Sequence, residues 1–266
     1  MYKMIAIDVD DTLLTDHHTV TPGTREALAE AVAQGVVVTL ATGRMFASAQ
    51  AIARHIGLNV PIITYQGSLV KNLLDEQVLY ERFVPPEAVR LTFEFCAERS
   101  LHLQIYMDDK LFAQEENDKL RAYAEVSKIP YTVEPNRDAL LRRPVTKLLI
   151  IDDPAVLDTI TAELRVLLGD QVHLTKSKPH YLEILHPEGT KGHALTFLAH
   201  HFGMAPEQVI GIGDSWNDHE LLEAAGLGVA MGNAVAPLKA IADYITLTNN
   251  EEGVKHVIEK FILNHP

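Results

Sequence analysis

The stretch IDVDDT places Asp8, Asp10 and Asp11 within four positions, directly after the apolar residues Met4, Ile5, Ala6 and Ile7. In an extended strand end, residues two apart project to the same side, so Asp8 and Asp10 can face one point. Two carboxylates aimed at one point repel each other unless a cation lies between them. Mg2+ suits such a pair, because it prefers oxygen ligands and is commonly held by one or two carboxylates plus phosphate and water.

A second acidic cluster lies far away in sequence. GIGDSWNDHE carries Asp214 and Asp218, and Gly211 and Gly213 are expected to let the backbone turn sharply there. A lone Gly-Asp turn often only caps a helix; its pairing with the first cluster points to a shared site. TLATGR adds Thr42, Gly43 and Arg44. The Thr42 hydroxyl can donate, Gly43 allows close backbone approach, and the helix start that follows is expected to offer free N–H groups to a phosphate. Lys191 in HPEGTKGHAL opens a further predicted helix. A solitary Lys is usually a solvated charge; its place at a helix start makes this one a candidate cation for phosphate and carboxylate.

The elements that must position these residues follow from apolar patterning. KMIAID, VVVTLATG, PIITYQG, QVIGIGDS, GLGVAMG and DYITLT read as strands. TPGTREALAEAVAQG, MFASAQAIARHIG, KGHALTFLAHHFG, NDHELLEAAG, AVAPLKAIA and GVKHVIEKFI read as the helices between them. Near-continuous apolar strands separated by helices imply a parallel sheet covered on both faces. Residues 83–186 differ. A helix introduced by Pro85 and Pro86 precedes LHLQIYMD and KLFAQ, a hairpin around Asp108-Asp109-Lys110. PVTKLLIID, a long helix and QVHLTKSKPHYLEILH follow, an α+β pattern with antiparallel pairing. The expected organisation is a core of residues 1–82 and 187–266, with 83–186 inserted as a second domain.

Bulk properties exclude several classes. Lys plus Arg is 23 and Asp plus Glu is 36, so the net charge of −13 argues against nucleic-acid binding. Cys96 is the sole cysteine, which rules out an internal disulfide and a Cys-based zinc site; it reads as a packed thiol. No apolar run is long enough to span a membrane, and no leader pattern opens the chain, so a cytoplasmic protein without membrane partners is expected. The 13 histidines, including His17-His18 and His200-His201, show no HExxH spacing and read as surface or loop residues. Lys176, Lys178 and His180 could meet a distal anionic group or form a solvated hairpin edge. Trp216 could border the site or pack under its loop.

Taken together, DVDDT at 8–12, Thr42 of ATGR, Lys191 and GDSWND at 213–218 resemble the haloacid dehalogenase (HAD) superfamily of phosphotransferases. The insertion is similar to the large α/β cap of its Cof-type phosphatase branch, and YLEILHPEGTKGHAL to that branch's return from cap to core. The resemblance implies a Rossmann-like (HAD-like) parallel core and an inserted α+β cap that selects substrate. It implies Asp8 as nucleophile forming an aspartyl phosphate, and Asp10 as general acid and base. Thr42, Gly43, Lys191 and Asn217 would hold the phosphoryl group. Mg2+ would be ligated by Asp8, the Asp10 backbone carbonyl and Asp214. Thr12, Arg44, Gly213 and Asp218 would support these groups, Asp218 by orienting Lys191 or a bound water. A neighbouring carboxylate would raise the Asp10 pKa.

Two positions depart from the family pattern. Asp11 stands where many relatives carry Gly, and Gln66 stands in place of the Asn of an Asn-Gly pair. The expected activity is Mg2+-dependent phosphate removal from a small phosphorylated metabolite, such as a sugar phosphate or phosphorylated cofactor. A phosphomutase or phosphotransferase is the alternative. A non-catalytic phosphate sensor would not need both Asp8 and Asp10.

Overall fold

The computed structural model describes residues 1–263. In chain order the first part comprises β1 (Met4–Ile7), α1 (Pro22–Ala33), β2 (Val37–Leu40), α2 (Phe46–His55), β3 (Ile62–Thr64), β4 (Leu69–Lys71) and β5 (Val78–Glu81). Next come α3 (Pro86–Glu98), β6 (Leu103–Met107), β7 (Lys110–Ala113), α4 (Asp118–Ser127), β8 (Tyr131–Val133), α5 (Arg137–Leu141), β9 (Lys147–Ile151), α6 (Pro154–Leu168), β10 (His173–Lys178) and β11 (Tyr181–Leu185). The chain closes with α7 (Lys191–His201), β12 (Val209–Gly213), α8 (His219–Ala224), β13 (Leu227–Ala230), α9 (Ala236–Ile241), β14 (Tyr244–Ile245) and α10 (Gly253–Ile258).

A parallel sheet in the order β14-β13-β12-β1-β2 forms the centre. Every residue of β1 and β12 is buried, as a sheet with helices on both faces requires. Helix starts are set by local chemistry. Thr21 accepts from the Thr24 N–H and Pro22 occupies the first turn of α1. Thr190 accepts from the His193 N–H at the start of α7.

A mixed sheet, β10-β11-β9-β6-β7-β8, makes a cap-like layer. Alternation along its strands separates two environments. Tyr106, Leu149 and Ile151 join the same apolar cluster as β1 and β12, whereas Ile105, Leu148 and Ile150 pack with α3 and α6 side chains such as Phe93 and Leu157. Burying each such side chain contributes roughly 1.5–3 kcal/mol relative to leaving it exposed. The β6–β7 turn is the expected two-residue hairpin, with Asp108 and Asp109 at φ 50° and 55°.

Several elements differ from the sequence expectation. β3 does not extend the parallel sheet as a full strand. One parallel bridge joins Ala41 to Ile63, and β3 pairs antiparallel with β4 in a separate sheet β3-β4-β5. Strands β4 and β5, helices α4 and α5, and strand β8 carry no clear sequence pattern, because they are short or only partly buried. β8 pairs parallel to β7, against the antiparallel expectation. DYITLT shortens to the two residues of β14.

Candidate active site

Strand order explains why distant residues meet. β1 lies between β12 and β2, so Asp8, Asp214 and Thr42 follow three adjacent strands at one sheet edge. That edge is where ligands bind in open α/β sheets. Lys191 enters from the first turn of α7, and its side chain is fully buried. Its Nζ donates to Asp8 Oδ1 at 2.5 Å and to Asp218 Oδ1 at 2.6 Å. Asp218 Oδ2 also accepts the backbone N–H groups of Asp214 and Ser215. Thr12 donates to Asp214 Oδ1 at 2.9 Å.

Gly213 serves close approach, not the sharp turn expected of it. It lies in β12, and a Cβ there would sit 2.4 Å from Asp218 Cβ. The loop after β1 turns instead at Asp11, which is left-handed at φ 62°. Its carboxylate pairs with Lys178 at 2.7 Å, and its carbonyl accepts from Asn233 Nδ2.

The Asp8, Asp214 and Asp218 carboxylates have oxygens within 4.8 Å of one another. Among the described residues Lys191 is the cation paired with this group, so with all three acids ionised the charge would be 1 − 3 = −2. Burial holds the Asp8 carboxyl well above the usual range, against the pull of Lys191. Burial, and next the Asp218 charge, push Asp214 up to about 7 despite the Thr12 hydrogen bond. Burial alone would lower the Lys191 pKa, but Asp218 and Asp8 outweigh it and raise the value. This donor set fits a divalent cation, whose charge would offset the excess. Among the described residues, both Asp218 oxygens are engaged, whereas Asp8 and Asp214 each keep one oxygen without a hydrogen bond. Those two are the better placed ligands.

Asp10 behaves differently from the sequence expectation. Its carboxylate lines the same cavity but is gripped by Arg44, with Nε to Oδ2 at 2.8 Å and Nη2 to Oδ1 at 2.6 Å. Burial would raise its pKa, but the Arg44 hydrogen bonds and charge outweigh burial and lower it. The expected elevation by a neighbouring carboxylate is therefore corrected. The start of α2 is also unavailable to phosphate: the Phe46 and Ala47 N–H groups donate to the two oxygens of Asp109.

The cavity has a volume of about 140 Å³. Asp8, Thr42, Gly43, Asp214 and Asn217 line it from the core, and Tyr123, Lys178 and Tyr181 line it from the cap-like layer. The Thr42 oxygen accepts from the Arg44 N–H, which leaves its hydrogen free to donate. Lys176 pairs with Asp158 away from the cavity. Trp216 lines a separate open depression of about 980 Å³, which includes neither Asp8 nor Asp214. Cys96 is buried, which pushes its thiol up to about 12.

Sequence reasoning missed Lys147 and Glu183, a buried pair at 3.1 Å that also lines the cavity. Lys147 Nζ donates to the Gly43 carbonyl at 2.8 Å. The available signal was a single Lys in VTKLLII and a single Glu in YLEIL, each among apolar neighbours.

A family model described as haloacid dehalogenase-like hydrolase matches residues 5–258. The chain is 32% identical over 268 residues to YxeH of Bacillus subtilis, covering 99% of each chain. It is 30% identical to the HMP-PP phosphatase of Yersinia enterocolitica, covering 98% of this chain and 96% of that one. The crystal structure of TM0651 from Thermotoga maritima is similar at a TM-score of 0.84 with 35% identity, covering 98% of each chain. The parallel core, the cap-like layer and the matched family model agree: this chain belongs to the haloacid dehalogenase-like hydrolase family and is one of its phosphatases.

Proposed function

We propose that the protein is a Mg2+-dependent phosphatase that removes phosphate from a small phosphorylated metabolite through an aspartyl phosphate on Asp8. The observation that carries this reading is the buried group of three acids, Asp8, Asp214 and Asp218, with Lys191 as the one cation paired to it among the described residues. Mg2+ would be held by Asp8, Asp214 and the Asp10 backbone carbonyl. Bound there, it supplies the positive charge that lets a carboxylate approach a phosphate dianion.

Asp8 attacks phosphorus, the ester P–O bond breaks, and the leaving oxygen takes a proton from Asp10. Water then attacks the aspartyl phosphate, Asp10 takes its proton, and the bond to Asp8 breaks to release phosphate. Lys191 and the free Thr42 hydroxyl hydrogen stabilise charge on the phosphoryl oxygens, with Asn217 beside them. Arg44 holds the Asp10 carboxylate in the form described, so acid catalysis requires this pair to part as substrate enters.

The cap-like layer would serve as the inserted domain of residues 83–186 and choose the leaving group. The cavity of about 140 Å³ is smaller than the roughly 300–1,000 Å³ of common ligand pockets, which supports a small leaving group. The relative named for HMP-PP supports a small phosphorylated metabolite of this kind.

A panel of phosphorylated metabolites with Mg2+, run beside Asp8→Asn, tests the reading. The variant is expected to keep its fold and lose turnover by about 10³-fold or more. Hydrolysis at the parent rate by Asp8→Asn would remove the nucleophile assignment.

A further inference from the structure

One buried polar chain links the two layers, and of its members the reaction as written uses only Asn217. Glu183 Oε2 accepts from Gln66 Nε2, and Gln66 Oε1 accepts from Asn217 Nδ2 at 2.9 Å. Glu183 Oε1 accepts from Lys147 Nζ at 3.1 Å and from Ser177 Oγ at 3.3 Å. Glu183, Lys147 and Gln66 are each at most 3% exposed, and Asn217 is 7% exposed.

The chemistry of the chain gives it a direction. An ionised carboxylate only accepts, so Glu183 dictates that Gln66 turns its nitrogen toward it. The Gln66 oxygen must then face Asn217, and Asn217 must present its nitrogen. One Nδ2 hydrogen goes to Gln66, which leaves the other for an anion in the cavity that Asn217 lines. Asn217 Oδ1 is buried with no hydrogen-bond partner, a cost that the opposite end of the chain imposes. Gln66 can lie across this gap because residue 43 is Gly: a Cβ there would sit 2.3 Å from Gln66 Nε2.

We propose that Glu183 is a positioning residue of the cap-like layer, which fixes the amide of Asn217 through Gln66 so that a nitrogen faces the phosphoryl group. The link to phosphate rests on the phosphatase reading; the orientation of the amides does not. Gln66 acquires a specific use here. Its extra methylene relative to Asn is what spans from Asn217 to Glu183, so cap-side and core-side groups share one hydrogen-bonded register.

Three variants test this. Glu183→Gln removes the acceptor-only group and lets both amides flip. Gln66→Asn shortens the link while leaving the Lys147–Glu183 pair in place. The double exchange Gln66→Glu with Glu183→Gln restores it in reverse: the new Glu accepts from both neighbours, and the new Gln offers its oxygen to Lys147. Each single variant is expected to lose about tenfold in kcat/KM, mainly through KM, and the exchange to recover most of it. NMR of Asn-labelled protein without substrate gives a readout independent of activity. The Asn217 side-chain amide should show one protected pair of signals in the parent and the exchange, and a displaced or doubled pair in Glu183→Gln. An exchange that folds but stays as slow as Glu183→Gln would overturn the proposal. An Asn217 signal indifferent to Glu183→Gln would overturn it even if no exchange protein is obtained. Failure of the parent to hydrolyse any phosphate ester would instead count against the phosphatase reading, with the NMR result still deciding the relay.

Discussion

Thr12 and Asp214, separated by 202 positions, are joined by a hydrogen bond of 2.9 Å between the first loop and the end of β12. Thr12 leaves Asp214 one free oxygen and lowers its pKa against burial. Thr12→Val keeps the shape and removes the hydroxyl. The Mg2+ concentration for half-maximal activity is expected to rise about tenfold, since a ligand has lost the partner that orients it. A Mg2+ titration checks this, and an unchanged midpoint would contradict it.

Lys191→Met removes the cation from among Asp8, Asp214 and Asp218. Without metal, the variant is expected to lose about 3–5 kcal/mol of stability, because buried charge is left uncompensated. Calorimetry with and without Mg2+ should show a larger metal-induced rise in Tm for the variant than for the parent. Equal shifts would mean that the metal and Lys191 do not neutralise the same acids.

Lys178 pairs with Asp11 at a half-exposed position while lining the cavity. Exposed pairs of this kind contribute about 0–1 kcal/mol, so Lys178→Ala should barely move Tm. Substrates with an anionic group away from the reacting phosphate should show KM raised about tenfold, equivalent to about 1.4 kcal/mol. A uniform KM across neutral and anionic substrates would place Lys178 outside the leaving-group pocket.

His102 departs from the expectation that the histidines are surface residues: it is 7% exposed. Burial, and next the Lys119 charge, lower its pKa from 6.5 to about 4. Its Nδ1 faces Asn117 Nδ2 at 2.9 Å. Asn117 Oδ1 caps α4 by accepting the Leu120 N–H, so Nδ2 must donate and Nδ1 must stay unprotonated. The unfolded chain takes up this proton near pH 6.5 and the folded one only near 4. This contribution to stability is therefore full above about 6.5 and is lost as pH falls toward about 4. His102→Gln should flatten the pH dependence of Tm in that window; an identical slope would remove His102 as its source.

The legible parts of the sequence were those whose signal is local. Apolar runs with acids at their ends announced β1 and β12, because a strand buried on both faces must be apolar throughout. Thr21-Pro22 marked the start of α1 by capping chemistry. β3 was read as a strand, but its antiparallel partner β4, and β5 and β8, were not legible. β4 and β8 have only three residues each, and in β8 none is buried, so no period emerges. Glu183 and Lys147 looked like isolated charges in apolar strands until β9 and β11 paired and set them on one face.

By itself the sequence determined which acids stand at strand ends, because alternation and burial are written residue by residue. Which cation each acid meets was decided only by the tertiary structure. Asp8 and Asp10 are two residues apart, yet one turns to Lys191 and the other to Arg44. A side chain's direction at a strand end depends on the neighbour that stabilises its charge. Here those neighbours arrive from α7 and from the loop after β2, a placement no local pattern encodes.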